Sequence, residues 1–198
     1  MRLPFALCLL LPACVPLYGR ETRFDFQSDA GFTPESGRWE LVESADAPSP
    51  PRALMQTNAG FDEQFNLDLC RTLAPKDADV RVQLCPVEGR FDQGGGIVWR
   101  ARDARNYYLA RWNPLENDVA AYKVVDGRRS VLARQACAAG AGWHRLRVWF
   151  RGPKAEVWLD GTSLFELEDS SFAVPGMIGL WTKADARTRF DDLEVQEL

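Results

Sequence analysis

The stretch Gly94–Arg129, GGGIVWRARDARNYYLARWNPLENDVAAYKVVDGRR, decides the fold that we predict for this chain. It contains three apolar runs separated by turn-forming residues, and polar or charged side chains recur at alternate positions within each run. A period of two is typical of strands that bury one face and leave the other accessible. We therefore predict three consecutive strands whose accessible face carries aromatic and charged groups, as a polar ligand groove would require.

The same alternation continues along almost the whole chain. Asp126-Gly127 and Asp160-Gly161 each lie between two apolar runs and are strong hairpin signals. A helical period of 3.6 residues is not convincing in any window of about fifteen residues. Strands are predicted at 23–27, 39–42, 53–56, 65–70, 80–87, 96–100, 107–112, 119–125, 130–134, 145–151, 155–159, 164–167, 177–182 and 190–194. This pattern predicts an all-β fold, a two-sheet antiparallel β-sandwich of the jelly-roll type.

The composition fits one domain. The chain has 198 residues, of which 46% are hydrophobic and 26% charged, and its net charge is −4. A chain of this size can bury one sizeable core, and we assign it to residues 20–198. Because the basic residues are scattered, a nucleic acid or an anionic membrane surface is not an expected partner. The oligomeric state is left open.

The N-terminus has the features of an export signal over residues 1–19. Arg2 precedes the apolar run Leu3–Leu11, which is too short to span a bilayer as a permanent helix. The sequence Leu11-Pro12-Ala13-Cys14 resembles a bacterial lipobox, which would make Cys14 the lipidated first residue of the mature chain. Ordinary cleavage near Gly19 is the alternative. We expect a periplasmic or outer-membrane lipoprotein, otherwise a secreted protein, that touches the membrane only through a lipid anchor.

The cysteines and the single histidine do not favour nucleophilic chemistry. Cys70 and Cys85 lie at opposite ends of two predicted neighbouring strands, about 20 Å apart against a limit of about 7 Å for a disulfide. With Cys137 they are an odd number, so we predict free thiols. His144 begins a strand without an evident partner, which gives a Cys–His pair little support.

Four motifs carry a resemblance to a known group of domains. They are Asn106-Tyr107-Tyr108, Arg111-x-Asn113-x-Leu115-Glu116-Asn117, Tyr122-Lys123-Val124 and Gly179-Leu180-Trp181-Thr182-Lys183-Ala184-Asp185. From Phe24 to Leu198 the chain resembles the concanavalin A-like jelly rolls of exported bacterial proteins. More narrowly, it resembles the laminin-G-like domains grouped with the 3-keto-disaccharide hydrolase (3-keto-glucoside lyase and hydratase) family. The resemblance implies two curved sheets, a ligand on the concave face, and carbohydrate as the ligand class.

Two clusters provide the candidate ligand-binding residues. In the first cluster, Arg111, Asn113 and Glu116 could offer a guanidinium, an amide and a carboxylate to sugar hydroxyls. The alternative is that Arg111 and Glu116 pair with each other and order the turn between them. In the second cluster, Trp181 and Lys183 share one strand face, where Trp181 is either a stacking platform for a sugar ring or part of a second apolar layer. Arg100 and Lys123 could complete a positive groove floor, although a solvated face would explain each alone. The full predicted set is Arg100, Arg111, Asn113, Glu116, Lys123, Trp181, Lys183 and Asp185.

Two further functions stay open beside carbohydrate binding. In an enzyme acting on 3-keto-glycosides, Glu116 or Asp185 would remove the proton next to the keto group, and Arg111 or Lys183 would stabilise the enolate. The Glu-x-Asp-x-Glu strand of family 16 glycoside hydrolases is missing, which disfavours that retaining mechanism. The other function is a non-catalytic interaction protein of the cell envelope, which would present a flat apolar patch. No catalytic residue is assigned.

A structural calcium ion is the one cofactor considered. Asp25, Asp191 and Asp192 lie near the predicted first and last strands, and hard carboxylate oxygens suit Ca²⁺. Ordinary turn and edge carboxylates are the alternative. No other metal or cofactor is predicted.

Overall fold

The computed structural model describes residues 19–28, 31–58, 60 and 64–198. Over these ranges the regular secondary structure consists of β-strands, joined by turns and loops. In chain order the strands are β1 Glu21–Phe24, β2 Phe32–Ser36, β3 Trp39–Glu43, β4 Arg52–Gln56, β5 Phe65–Cys70, β6 Ala78–Glu88, β7 Gly95–Asp103, β8 Asn106–Asn113, β9 Asp118–Val125, β10 Arg128–Ala136, β11 His144–Arg151, β12 Lys154–Leu159, β13 Thr162–Glu168, β14 Met177–Lys183 and β15 Arg187–Glu197. The predicted all-β class is confirmed.

The strands form two antiparallel sheets. The eight-stranded sheet has the order β13-β12-β11-β6-β15-β4-β3, with β1 paired to β15. The seven-stranded sheet has the order β10-β9-β8-β7-β14-β5-β2. The predicted two-sheet sandwich of the concanavalin A-like jelly-roll type is therefore confirmed.

The main core lies between the two sheets. Alternate residues of each strand point into it, as the sequence period requires. The Trp99 ring of β7 stacks on the Phe150 ring of β11 with centroids 6.2 Å apart, and this contact joins the sheets. Fully burying an aromatic side chain of this kind stabilises the fold by about 1.5 to 3 kcal/mol.

The outer face of the seven-stranded sheet carries a second apolar cluster. It includes Leu67, Leu69, Val98, Tyr107, Leu109, Tyr122, Val124 and Trp181. The guanidinium of Arg129 on β10 lies 5.7 Å from the Trp181 ring centroid on β14, although a flat sheet would separate those strands by about 19 Å. The sheet must therefore curve toward this outer face, which we call the concave face.

Turn chemistry fixes the hairpins as predicted. Asp126 and Gly127 have φ of 51° and 80°, and Asp160 and Gly161 have φ of 49° and 79°. Two successive positive φ angles are those of the type I′ hairpin turn, which glycine and aspartate tolerate. Both predicted hairpins are present.

One strand was not predicted. β2 contains Pro34, which lacks a backbone donor and argues against a strand in the interior of a sheet. It lies at the edge of the seven-stranded sheet, paired only with β5, where proline is tolerated. The prediction of free thiols is confirmed for Cys70, Cys85 and Cys137. The expected pairing of the strands that carry Cys70 and Cys85 is wrong, because β5 and β6 lie in different sheets.

The first and last described segments lie side by side. The backbone N–H of Gly19 donates to the carbonyl of Glu197 at 3.1 Å, and β1 pairs with β15. Most of the predicted export signal, including Cys14, lies outside the described residues. Within the described ranges, no helix is long and apolar enough to cross a membrane.

The carboxylates considered for Ca²⁺ have protein partners. Asp192 accepts from Arg23 at 2.7 Å and from the Ser49 hydroxyl at 2.6 Å. Asp191 accepts from the backbone N–H of Ser49 at 2.6 Å, and Asp25 accepts from a backbone N–H two residues on. Over the part of the chain that the structure describes, no group of three His, Cys, Asp or Glu side chains is placed to hold a metal ion.

Candidate functional site on the concave face

Four of the predicted ligand-binding residues meet around a carboxylate that was not predicted. Asn113 donates from Nδ2 to Oδ1 of Asp92 at 2.9 Å, and Lys183 Nζ lies 3.9 Å from Oδ2 of the same carboxylate. Arg111 lies near the end of β8, and Glu116 lies in the turn that follows it. Both are close enough to influence the charge of Asp92. We call Asp92, Arg111, Asn113, Glu116 and Lys183 the Asp92 cluster.

Arg111 is buried and held by internal partners. Its guanidinium forms ion pairs with Asp118 and, at 2.7 Å, with Glu116, and it donates to the Tyr122 hydroxyl at 3.1 Å. Only 2% of its side chain is exposed. The local ion pair is therefore present, and Arg111 orders the concave face from beneath rather than contacting a ligand directly.

Glu116 remains accessible at the rim of this cluster. Its side chain is 46% exposed, and Arg134 lies 3.7 Å away as a second cation. Burial opposes ionisation of Glu116, but Arg111 and Arg134 outweigh it and lower the pKa. The carboxylate is therefore an ionised acceptor at neutral pH.

Asn113 and Asp185 order the two turns that frame the cluster. Oδ1 of Asn113 accepts the backbone N–H groups of Leu115 at 2.9 Å and Glu116 at 3.2 Å. The Asp185 carboxylate accepts the successive backbone N–H groups of residues 90–92 at 2.6 to 3.1 Å. Burial opposes ionisation of Asp185, yet these three hydrogen bonds together lower its pKa. Asp185 therefore positions the turn that carries Asp92.

Asp92 has the most perturbed carboxyl group of the cluster. Burial raises its pKa to about 6, even though Arg111 and Lys183 favour the charged form. No motif in the sequence singles this residue out, because its environment depends on the distant Asp185 contact that folds the turn. A buried carboxyl that titrates near neutral pH is typical of a functional site.

Trp181 is not an exposed stacking platform. Its side chain is 1% exposed and packs against Phe65 with ring centroids 5.4 Å apart. Burial raises the pKa of the neighbouring Tyr107 hydroxyl to about 12, although the indole N–H of Trp181 acts in the opposite direction and lowers that pKa. Trp181 is therefore part of a second apolar layer, the alternative interpretation. This layer forms because the curved sheet brings the rings into contact.

Arg100 is not part of the groove floor. A register shift follows Trp99, and Arg100 has φ of 50°, which turns its side chain into the space between the sheets. There it is 2% exposed and donates to Asp77 at 3.1 Å and to the carbonyl of Phe172 at 2.9 Å. The prediction that Arg100 contributes to the groove is wrong.

Lys123 is also absent from the concave face. It lies opposite Tyr108, whose ring belongs to the inner core, so its position in the alternation places it on the inner side of β9. Its ammonium donates to Asp169 at 2.8 Å and to the Ser171 hydroxyl at 3.0 Å. The prediction that Lys123 projects into the groove is wrong for this reason.

Arg129 is the main residue that the sequence did not single out. Its guanidinium carbon lies 4.3 Å from the Tyr122 ring centroid, 5.5 Å from Phe65 and 5.7 Å from Trp181. The residue is half-buried, and no carboxylate of the described residues lies within 4.0 Å of it. The sequence places it next to Arg128 after a hairpin turn, where solvated surface is the usual outcome.

These groups give the concave face a defined chemistry. Aromatic rings form its apolar floor, Arg129 offers N–H donors above that floor, and Glu116 offers acceptor oxygens at the rim. Lys183 and the buried Asp92 form a further donor and acceptor pair below the rim. Accessible donors and acceptors held over a floor of packed rings suit a polyhydroxylated molecule.

Three other features are less suited to a ligand. A groove of about 400 Å³ on the outer face of the eight-stranded sheet is lined by Trp149, Lys154, Glu156, Glu166 and Glu168 among others. His144 does have a partner, contrary to prediction: its Nδ1 lies 2.6 Å from Asp160 Oδ2, and its Nε2 lies 2.9 Å from the Gly140 carbonyl. Because burial raises the pKa of the Cys137 thiol, it is not an activated nucleophile.

The two sheets, their strand order and the curved face define an all-β sandwich with the concanavalin A-like jelly-roll fold. Solved structures of the same fold include the carbohydrate-binding module CBM66 from Bacillus subtilis, with a TM-score of 0.70, 21% identity, and coverage of 83% of this chain and 94% of the module. A protein of unknown function with a galectin-like fold from Bacillus subtilis gives a TM-score of 0.64 and 13% identity over 91% and 98% of the two chains. The exoplasmic/lumenal domain of VIP36 in its Ca²⁺/Man3GlcNAc-bound form gives a TM-score of 0.61 and 12% identity. The match covers 91% of this chain and 90% of that domain.

Sequence comparison adds no family assignment. No protein-family model matches the chain, and no curated protein matches it. The likeness to the 3-keto-disaccharide hydrolase family therefore remains a resemblance of motifs, and the solved structures establish the fold.

Proposed function

We propose that this protein is a carbohydrate-binding domain that holds a sugar or a sugar-derived ligand on its concave face. The proposal is supported by the shared fold of a carbohydrate-binding module and of a domain solved with Man3GlcNAc. It is also supported by the composition of the concave face itself, which combines rings with accessible donors and acceptors.

One observation carries the proposal. Arg129 stands over three aromatic rings and keeps its edge N–H groups free of carboxylates from the described part of the chain. A planar guanidinium held in this way can donate two parallel hydrogen bonds to vicinal oxygens. The half-exposed Glu116 can accept from another hydroxyl on the same ligand.

The test is a glycan panel followed by titration calorimetry on the purified protein. The wild type is expected to bind at least one glycan, and Arg129→Ala is expected to weaken that binding at least tenfold. Arg128→Ala is the matched control, because Arg128 is exposed and lies on the opposite side of β10. The control should bind as the wild type does. A panel without any binding, or an equal loss in both variants, would contradict the proposal.

A second candidate function, proton abstraction from a 3-keto-glycoside, is favoured by Asp92. A carboxylate with a pKa of about 6 suits a general base at neutral pH. Glu116 and Asp185, the bases first considered, have lowered pKa values and fit that role less well. Mass spectrometry of 3-keto sugars incubated with the protein tests this function: turnover lost in Asp92→Asn would support it, and no turnover by the wild type would exclude it.

We also propose that the protein is exported and that Cys14, as the first residue of the mature chain, carries the lipid anchor. The support is the N-terminal sequence alone: a basic residue, a short apolar run and a lipobox-like ending. Labelling of expressing bacteria with radioactive palmitate should mark the wild type and not Cys14→Ser. Absence of label from the wild type would favour cleavage near Gly19.

A further inference from the structure

Buried and half-buried arginines in this protein follow a pattern. Where the guanidinium packs against an aromatic ring, it also holds a carboxylate. The pattern applies to Arg100 with Asp77, Arg111 with Glu116, Arg147 with Asp79 and Arg189 with Asp46. The reason is physical, because a cation that loses water on folding is stabilised by an anion in the same low-dielectric setting.

Arg129 departs from this pattern. It is half-buried and packs against three rings, yet its guanidinium has no carboxylate partner among the described residues. The nearby carboxylates are occupied elsewhere: Asp92 accepts from Asn113, and Glu116 accepts from Arg111. The nearest ring, Tyr122, lies 4.3 Å from the guanidinium carbon, which leaves the N–H edge as the part that can meet a ligand. The concave face therefore holds a half-buried cation that has no carboxylate of the described residues within 4.0 Å, although Glu116 and Asp92 lie near enough to feel its charge.

From this arrangement of Arg129 we propose that the ligand is an anionic saccharide and that Arg129 is the residue that recognises its charge. The inference rests on the proposed function and specifies its ligand class. The anionic group is either the carboxylate of a uronic acid or a sulfate ester, since both present two oxygens that match the guanidinium fork. The rest of the saccharide would then reach the rim at Glu116, while the buried rings of Tyr122 and Trp181 hold the guanidinium from below.

Matched ligand pairs test this inference. The first pair is an oligogalacturonate and its methyl ester, and the second is a sulfated galactan oligosaccharide and its desulfated form. Binding of each is measured by calorimetry at low and high salt. In at least one of the two pairs, the wild type is expected to bind the charged member at least tenfold more tightly than the neutral member. This preference should shrink at high salt, because the contact is partly exposed.

Variants assign the preference to Arg129. Arg129→Gln should bind both members of the pair alike, while Arg129→Lys should keep part of the preference because it retains charge without the fork. Arg128→Gln removes the same charge from the same strand and should keep the full preference. Circular dichroism and thermal unfolding of each variant confirm that the fold is intact.

The outcomes separate the inference from the proposed function. A preference for the carboxylated or for the sulfated member identifies the source of the anionic group. Equal binding of charged and neutral members would overturn the inference and leave carbohydrate binding in place. No binding of any saccharide would overturn both. Equal loss of preference in Arg128→Gln and Arg129→Gln would show a non-specific charge effect and would also overturn the inference.

Discussion

Arg111 and Arg129 both lie at the concave face, but they have different structural roles. Arg111 is fully paired below the surface, whereas Arg129 is half-buried and has rings as its only partners in the described ranges. Sequence motifs singled out Arg111, because it lies in the stretch shared with the family that the chain resembles. They passed over Arg129, because its importance comes from rings on β9, β14 and β5 that only the curved sheet brings together.

Substitution of Arg111 should lower the free energy of unfolding more than substitution of an exposed arginine does. Arg111→Ala leaves the carboxylate of Asp118, itself 7% exposed, with the half-exposed Arg134 at 3.1 Å as its remaining cation. Loss of one partner of a buried ion pair costs about 3 to 5 kcal/mol, and the remaining Arg134 should hold the loss near the lower end of that range. Urea unfolding should show this loss, while Arg151→Ala, an exposed control outside the ion pairs of the described residues, should stay within about 0.5 kcal/mol of the wild type. Equal stability of the two variants would contradict the assignment of Arg111 as a buried structural cation.

Asp92 should titrate near neutral pH. Burial raises its pKa to about 6, and NMR of the side-chain carboxyl carbons should show a midpoint there. Asp185 is an internal comparison, because its three backbone hydrogen bonds lower its pKa below the ordinary value of 3.8. A midpoint for Asp92 near 4 would mean that water reaches it freely.

At the level of strands, alternation predicted which side chains share a face. Ile178 and Leu180 point into the core and Trp181 points to the other face, as a period of two requires. Curvature and bulges were not predictable in this way. The register shift after Trp99 reverses the face of Arg100, and the curvature buries Trp181. Both effects arise from packing between strands that are distant in the sequence.

Gly96 in β7 should be essential for strand pairing. A Cβ there would lie 2.1 Å from the Ala110 carbonyl oxygen on β8, which is backbone and cannot move aside cheaply. Gly96→Ala should destabilise the protein by about 1 to 3 kcal/mol or more, whereas Gly140→Ala meets nothing within 4 Å and is the matched control. Thermal unfolding measures the difference. Equal melting temperatures would show that β7 and β8 pair less closely than described.

Taken together, the ionisable groups predict how stability changes with pH. Burial raises the pKa of Asp92 and of Asp191 to about 6, which means that folding favours their protonated forms. Stability should therefore rise by about 1 to 3 kcal/mol as pH falls from 7 to about 4.5. Below about pH 4 the trend should reverse, because Asp46, Asp169 and Asp185 have lowered pKa values and lose their folded-state partners when protonated. Urea unfolding at several pH values checks this, and a steady decline in stability from pH 7 to 4.5 would contradict it.

The concave face is the proposed ligand site, and the eight-stranded sheet offers the competing surface around Trp149. The most direct measurement is NMR mapping of the backbone amides while a glycan that binds is added. Binding on the concave face should place the largest shifts on Tyr122, Arg129 and Trp181. Shifts confined to Trp149, Glu156 and Glu166 would contradict it, because they would place the ligand on the opposite face of the sandwich.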